Sequence, residues 1–279
     1  MNDQATTSPR LPVYFDRMID AFHAGHAGRH AHLGHWHPST SATDRPTGLA
    51  AAQETLNDEL IRMGNVQNGT RVLDVACGFG GLIQQLDASV TDSELHGVNI
   101  DDRQLDICQQ LRSNNDNVLR WQEADACDLP FADETFDTVF CVEAMFHFSS
   151  RKRFLDEAHR IMMSGGTLVV TDFAMRRPAT LPAFCLEAVL CDGYGPWPDP
   201  WCSHGTALQL LESPAWLDLQ HVDATSQTLP SYHYIVPSDC DMNHDPVDPA
   251  ARSAMLLQWL HTNGHLRYDY LSAVARESQ

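Results

Sequence analysis

Arg71-Val-Leu-Asp-Val-Ala-Cys-Gly-Phe-Gly-Gly81 reads as a short buried strand running into a tight, glycine-bearing turn. Val72, Leu73 and Val75 suit a strand covered on both faces. Gly78 and Gly80 let the backbone bend and approach a ligand closely, where a side chain would stand in the way. Asp74 sets a carboxylate where the strand ends. An ordinary dinucleotide fingerprint does not require that acid, whereas a cofactor with an ammonium group gives it a partner. The other reading of Asp74 is a cap for the turn.

Working outward, strands and helices alternate from residue 70 onward, which implies an α/β fold with a doubly wound, mostly parallel sheet. Strands are expected at 71–75, 95–100, 118–123, 137–142 and 166–172, with helices near 80–87, 102–113 and 151–163. Two further strands, Trp216–Thr225 and Leu266–Ala275, bracket a helix at about 248–262 and bring the sheet to seven strands. Upstream, Val13–His23 and Gly48–Met63 look helical; Leu49, Ala52, Leu56, Leu60 and Met63 form one apolar face. From Ala174 to about His204 the alternation breaks. Five prolines surround a short apolar helix at about 181–191 there, which reads as a cap over a cleft. The expected division is 1–65 as an N-terminal lid, 66–173 as a cofactor-binding core, 174–215 as a substrate cap and 216–279 as the completion of the sheet.

Composition narrows the partners. The formal charge is −19, and between Pro178 and Ala251 there are ten acids and no Lys or Arg. Such a surface repels nucleic acid, which needs phosphate-neutralising cations, and favours a neutral or cationic small molecule. No run of 18 or more apolar residues is present, and the polar N-terminus lacks a signal-peptide stretch, so a cytoplasmic protein without a membrane partner is expected. None of the eight cysteines forms a C-x-x-C pair, so they read as free thiols.

Three more segments carry chemistry. Gly97-Val-Asn-Ile-Asp-Asp-Arg-Gln104 closes the second strand, with Asn99 at the tip 25 residues beyond Asp74. Glu123-Ala-Asp-Ala-Cys-Asp-Leu-Pro-Phe131 follows the third, and Cys141-Val-Glu-Ala-Met-Phe-His-Phe148 ends the fourth. His147 lies about one helical turn past that strand end. Its ordinary pKa lies near working pH, which suits a general base. Asp172, at the tip of the fifth strand, is placed to orient the imidazole or to bind substrate. A purely structural histidine is the other reading.

Together these segments resemble the class I S-adenosylmethionine-dependent methyltransferases, in detail over about residues 70–173. They are most similar to bacterial methyltransferases that act on sugars and polyketides. The resemblance implies a Rossmann-like sheet whose last strand is antiparallel, and S-adenosylmethionine as cofactor. It implies that Ala76, Cys77, Gly78 and Gly80 turn the backbone round the methionine carboxylate while Asp74 receives the ammonium. Ala76 stands where the family commonly has glycine. Asn99 and Gln104 would share the ribose, Ile100 would pack on the adenine, and Asp125 with the Ala126 N–H would read its edge. Gln104 is otherwise an ordinary helix-surface residue, and Asp125 a turn cap. Val142 and Glu143 would close over the methionine part, and Gly165-Gly166 would make the tight connection into strand five.

Six histidines crowd into residues 23–37. A metal site and a solvated loop are possible readings, but His32-Leu-Gly-His-Trp36 also resembles the family's lid. In that reading Tyr14, His32, His35 and Trp36 wall the acceptor pocket from one side, and Phe184, Trp197 and Trp201 from the other. No metal is expected. The resulting expectation is methyl transfer to a small-molecule hydroxyl, with His147 and Asp172 as the catalytic pair. Transfer to nitrogen or carbon, or cyclisation without methyl transfer, are the alternatives. Arg17, Arg29 and Arg45 are the cations that could hold a phosphorylated acceptor. The helical N-terminus and apolar cap offer surfaces for a homodimer.

Overall fold

A computed structural model describes residues 13–37, 48–236 and 248–277, together with the backbone but not the side chains of Val13, Ala183 and Phe184. Arg45 and the Phe184 side chain therefore lie outside the described residues. The chain opens with α1 (Val13–His23) and α2 (Gly48–Gly64). It continues through β1 (Arg71–Val75), α3 (Gly81–Ser89), β2 (Glu94–Asn99), α4 (Asp102–Cys108), β3 (Val118–Glu123) and β4 (Phe136–Cys141). Next come α5 (Arg151–Ile161), β5 (Met162–Met175), α6 (Ala183–Tyr194) and α7 (Ala207–Leu211). The chain closes with β6 (Trp216–Asp223), α8 (Thr225–Thr228), α9 (Tyr232–Ile235), α10 (Pro249–Thr262) and β7 (Leu266–Ala275).

The seven strands form one sheet in the order β3-β2-β1-β4-β5-β7-β6, and β7 runs antiparallel to both its neighbours. Alternation along β1 divides the core in two. Val72 points to the layer of Leu56, Leu60, Ile83 and Leu86. Leu73 and Val75 point to that of Val139, Phe154 and Leu168. The strand order reverses between β1 and β4, so the crevice beyond their carboxyl ends is the place where open α/β sheets bind ligands.

Several boundaries depart from expectation: the strand expected at Trp216–Thr225 stops at Asp223, with Thr225 opening α8, and the helix expected at 181–191 runs over Ala183–Tyr194. Two further departures have local reasons. α4 ends at Cys108, not 113, because the Ser- and Asn-rich stretch after it bonds elsewhere. The Asn114 N–H donates to Asp87 Oδ2, and Asn117 Nδ2 donates to Asp87 Oδ1 and to the Val90 carbonyl. Such side chains compete with helical hydrogen bonds. β5 begins at Met162, so Gly165-Gly166 lies within an irregular strand rather than between helix and strand. A Cβ on Gly166 would come within 2.9 Å of the Asp137 and Met163 carbonyls. Among the described residues no helix is long and apolar enough to cross a membrane.

Candidate active site

The carboxyl ends of β1, β2 and β4 open into a cavity of about 770 Å³. It is roofed by α1 and residues 27–33 and closed on the far side by Tyr194 and Trp197. Asp74 lines it and is 3% exposed, and its carboxylate receives no hydrogen bond from any described residue. Burial without a partner raises its pKa to about 8. The following turn is left-handed at Ala76 (φ 61°) and Gly78 (φ 54°). A Cβ on Gly78 would meet nothing nearer than Gln104 Oε1 at 4.0 Å, so this glycine faces open space. Gly80 differs. A Cβ there would press on Leu111 and Trp121 at 3.0 Å, and the residue does not line the cavity. Its role is to cap α3 and permit packing.

At the tip of β2, Asn99 Nδ2 donates to Gln104 Oε1 across 3.1 Å, and the Ile100 N–H donates to Asn99 Oδ1. Gln104 is buried rather than a helix-surface residue. Ile100 remains 40% exposed and lines the cavity, as do Cys77, Asp125 and Ala126. Asp125 Oδ1 accepts from the Cys127 N–H at 2.8 Å, so one carboxylate oxygen caps the turn while the other has no partner among the described residues.

After β4, Val142 and Glu143 line the cavity. The Glu143 N–H donates to Thr171 Oγ1 and is not free for a ligand. Its carboxylate matters instead: Oε1 accepts from the Leu33 N–H and from the Tyr268 hydroxyl, both at 2.6 Å. Burial lifts this carboxyl to about 7 despite those two donors. The segment at Leu33 is thereby tied to the sheet through the Glu143 carboxylate.

His147 lines the same cavity, and its Nδ1 lies 2.7 Å from the Pro196 carbonyl. A carbonyl only accepts, so Nδ1 carries the proton and Nε2 is left with a lone pair. Burial holds the imidazole near pKa 4, with the Pro196 bond opposing and the Arg151 charge reinforcing that shift. Asp172 does not orient this ring. Its carboxylate takes Arg151 Nε and Nη2 at 2.7 and 3.1 Å, with both side chains buried. Burial raises the Asp172 carboxyl against the pull of Arg151, while Asp172 raises the guanidinium against the same burial. The pair is ionised, because a guanidinium does not give up its proton in a protein. Asp172 is thus a buried partner to Arg151, placed behind the cavity wall.

The walls expected from the lid and cap divide likewise. Tyr14, His32 and Trp197 line the cavity, the last stacked on Phe146 at 4.3 Å. Burial first, and then His30, bring His32 down to about 3, so it is neutral. His35 turns to the Tyr270 hydroxyl, and Trp36 Nε1 donates to Ser231 Oγ while its ring stacks on Tyr234. Trp201 Nε1 donates to Glu187. None of these three lines the cavity. Arg17 pairs with Asp248, and Arg29 donates to the Phe79 carbonyl. Among the described residues no three His, Cys, Asp or Glu side chains group as metal ligands. Tyr194 and Tyr232 also line the cavity, and no local motif signalled them.

This donor set fits a nucleoside with an ammonium tail. A partnerless buried acid and an open glycine turn lie at one end; an amide pair, an apolar face and a second acid lie at the other. The comparisons agree. A sequence profile described as a methyltransferase domain matches residues 73–170. Methyltransferase GfsG of Streptomyces halstedii is 30% identical over 218 residues, 74% of this chain and 73% of that protein. The 27-O-demethylrifamycin SV methyltransferase of Amycolatopsis mediterranei is 30% identical over 159 residues, 56% of each chain. Among solved structures, the [4+2]-cyclase SpnF superposes with a TM-score of 0.67 at 19% identity, covering 95% of this chain and 94% of that one. Geranyl diphosphate C-methyltransferase from Streptomyces coelicolor A3(2), in complex with Mg2+, geranyl diphosphate and S-adenosyl-L-homocysteine, gives 0.68 at 16%, covering 96% and 100%. With the sheet order, the glycine turn and these relatives in hand, the chain belongs to the class I S-adenosylmethionine-dependent methyltransferases.

Proposed function

We propose that this enzyme methylates a hydroxyl group of an uncharged, largely apolar small molecule of the natural-product type. The observation that carries this reading is the joining of two chemistries in one cavity. Asp74 offers an unpaired acid and His147 an imidazole with Nε2 unprotonated, and both line that cavity. The relative named as a 27-O-demethylrifamycin SV methyltransferase supports the substrate class. In this reading residues 1–65 act as the lid and 174–215 as the acceptor cap.

S-adenosylmethionine supplies an electrophilic methyl carbon on a sulfonium, lost by in-line displacement. The chain's residues align the partners and exclude water, which is where most of the acceleration in such a reaction arises. Asp74, Asn99, Gln104 and Asp125 would hold the nucleoside; Phe146, Phe173 and Trp197 would form the apolar wall. The acceptor oxygen gains the methyl group, and its proton passes to His147 Nε2 as charge develops. A base with a pKa of about 4 is weak, so its contribution falls at or below the low end of the usual range.

The test is incubation with methyl-labelled cofactor and a panel of hydroxylated metabolites, read by mass spectrometry with fragmentation. Label on oxygen supports the reading. Label on nitrogen or carbon changes the acceptor, and rearranged product without label assigns a cyclase. His147→Ala is expected to lower kcat by about tenfold to a hundredfold and to leave cofactor affinity nearly unchanged. Equal losses in both would mark a structural histidine.

A further inference from the structure

We propose that Arg151 and Asp172 are positioning residues for His147: together they fix the stretch from Pro196 to Asp199, and its Pro196 carbonyl then sets which imidazole nitrogen carries the proton. This rests on the reading of His147 as the base and adds to it the groups that keep the ring in its working form.

A histidine takes a proton only at its bare nitrogen, and the hydrogen bond made by the other nitrogen decides which one that is. At His147 that bond runs from Nδ1 to the Pro196 carbonyl at 2.7 Å. Pro196 is exposed, lies outside any helix or strand, and has no N–H with which to anchor itself. Its position therefore depends on its neighbours. Three residues on, the Asp199 carbonyl accepts from Arg151 Nη1 at 3.2 Å, while Nε and Nη2 of the same guanidinium hold Asp172 at 2.7 and 3.1 Å. All three guanidinium nitrogens are in use, two toward the sheet and one toward the loop. Asp172 gives them a firm footing, because it sits within β5 and pairs across to β7. Arg151 opens α5 only four residues after His147, so the ring and its carbonyl partner are tied to one side chain from both ends. The Asp199 carboxylate accepts from the Ser203 and His204 N–H groups at 2.8 and 3.0 Å, which stiffens the loop beyond. Trp197, stacked on Phe146, is a second tie, so loss of Arg151 loosens the stretch without releasing it. Apolar side chains could join α5 to β5 equally well, but they could not donate to the Asp199 carbonyl.

The test is nitrogen NMR of the ligand-free, full-length protein labelled in its histidine rings, where the two tautomers differ in shift. Signals are assigned by their absence in His147→Ala and His261→Gln. His261 is the internal control, since its Nε2 lies 2.8 Å from the Thr225 carbonyl, a contact that shares no residue with the pair. At neutral pH the wild-type His147 ring is expected to carry its proton on Nδ1. In the double variant Arg151→Met with Asp172→Leu, the ratio of Nδ1- to Nε2-protonated ring is expected to fall about three- to tenfold, the effect of weakening one neutral hydrogen bond, with His261 unchanged. Arg151→Lys keeps the charge but loses the fork; it is expected to shift the ratio the same way, and it decides the matter should the double variant not fold. An unchanged ratio in the folded variants overturns the proposal. So does an equal change at His261, which would mean general loosening, or a wild-type His147 without the Nδ1 proton. Turnover of His147→Ala decides separately whether the ring is the base, and an unchanged ratio leaves that reading intact.

Discussion

Asp74 and Glu143 are two buried carboxyls in one cavity whose surroundings give them different work. Glu143 accepts from two protein donors, the Leu33 N–H and the Tyr268 hydroxyl; the Asp74 carboxylate has none among the described residues. With its pKa at about 8, free Asp74 is mostly protonated at pH 7. An ammonium beside it favours the ionised form. Binding of S-adenosylhomocysteine at pH 7 is therefore expected to release most of one proton. Calorimetry in buffers of different ionisation enthalpy measures this directly. Asp74→Asn should abolish the release and weaken binding at least tenfold, about 1.4 kcal/mol. An unchanged buffer dependence in the variant would remove Asp74 from the ammonium site.

At the scale of elements, the stretch from Pro196 to Asp199 is held to the core by His147, the start of α5 and the tip of β5. Arg151 grips Asp172 with two nitrogens and donates a third hydrogen bond to the Asp199 carbonyl, while His147 donates to the neighbouring Pro196. Removing one partner of a buried pair strands the other charge. Arg151→Met is expected to cost about 3–5 kcal/mol, and the double variant Arg151→Met with Asp172→Leu to recover much of it. Denaturant unfolding of the two variants decides. Equal losses would mean the pair's geometry, and not its charge balance, supports the cap.

Over the whole molecule, titration of buried groups predicts how stability follows pH. His32 and His147 are held at about 3 and 4, and His30, His35, His96 and His261 are also lowered, in each case first by burial. Below about pH 6.5 the unfolded chain takes protons that these groups refuse, so stability falls as pH drops. Asp74 and Glu143 behave oppositely, since their folded pKa values of about 8 and 7 lie above the unfolded ones. Their cost grows as pH rises from about 4 through those values. The melting temperature of the ligand-free protein is therefore expected to peak near pH 6.5. S-adenosylhomocysteine should flatten the alkaline side by giving Asp74 its partner. A thermal-shift series across pH, with and without that ligand, tests this. An alkaline side that ligand does not alter would show that no buried acid is relieved on binding.

What the amino-acid sequence determined by itself was the sheet, the glycine turn and the tips of the first strands. These depend on signals confined to a few neighbouring residues: two-residue alternation, the left-handed turn, an acid or amide at a strand end. That Asp74, Asn99 and Asp125 lie at the ends of their strands was legible for that reason. What only the tertiary structure decided was which distant side chains meet. Asp172 faces Arg151 and not His147, and Glu143 is bonded by Tyr268 125 residues away. No local pattern encodes those meetings. They follow from how the lid, cap and last strand pack over the crevice, and from the cost of leaving a buried charge or donor without a partner.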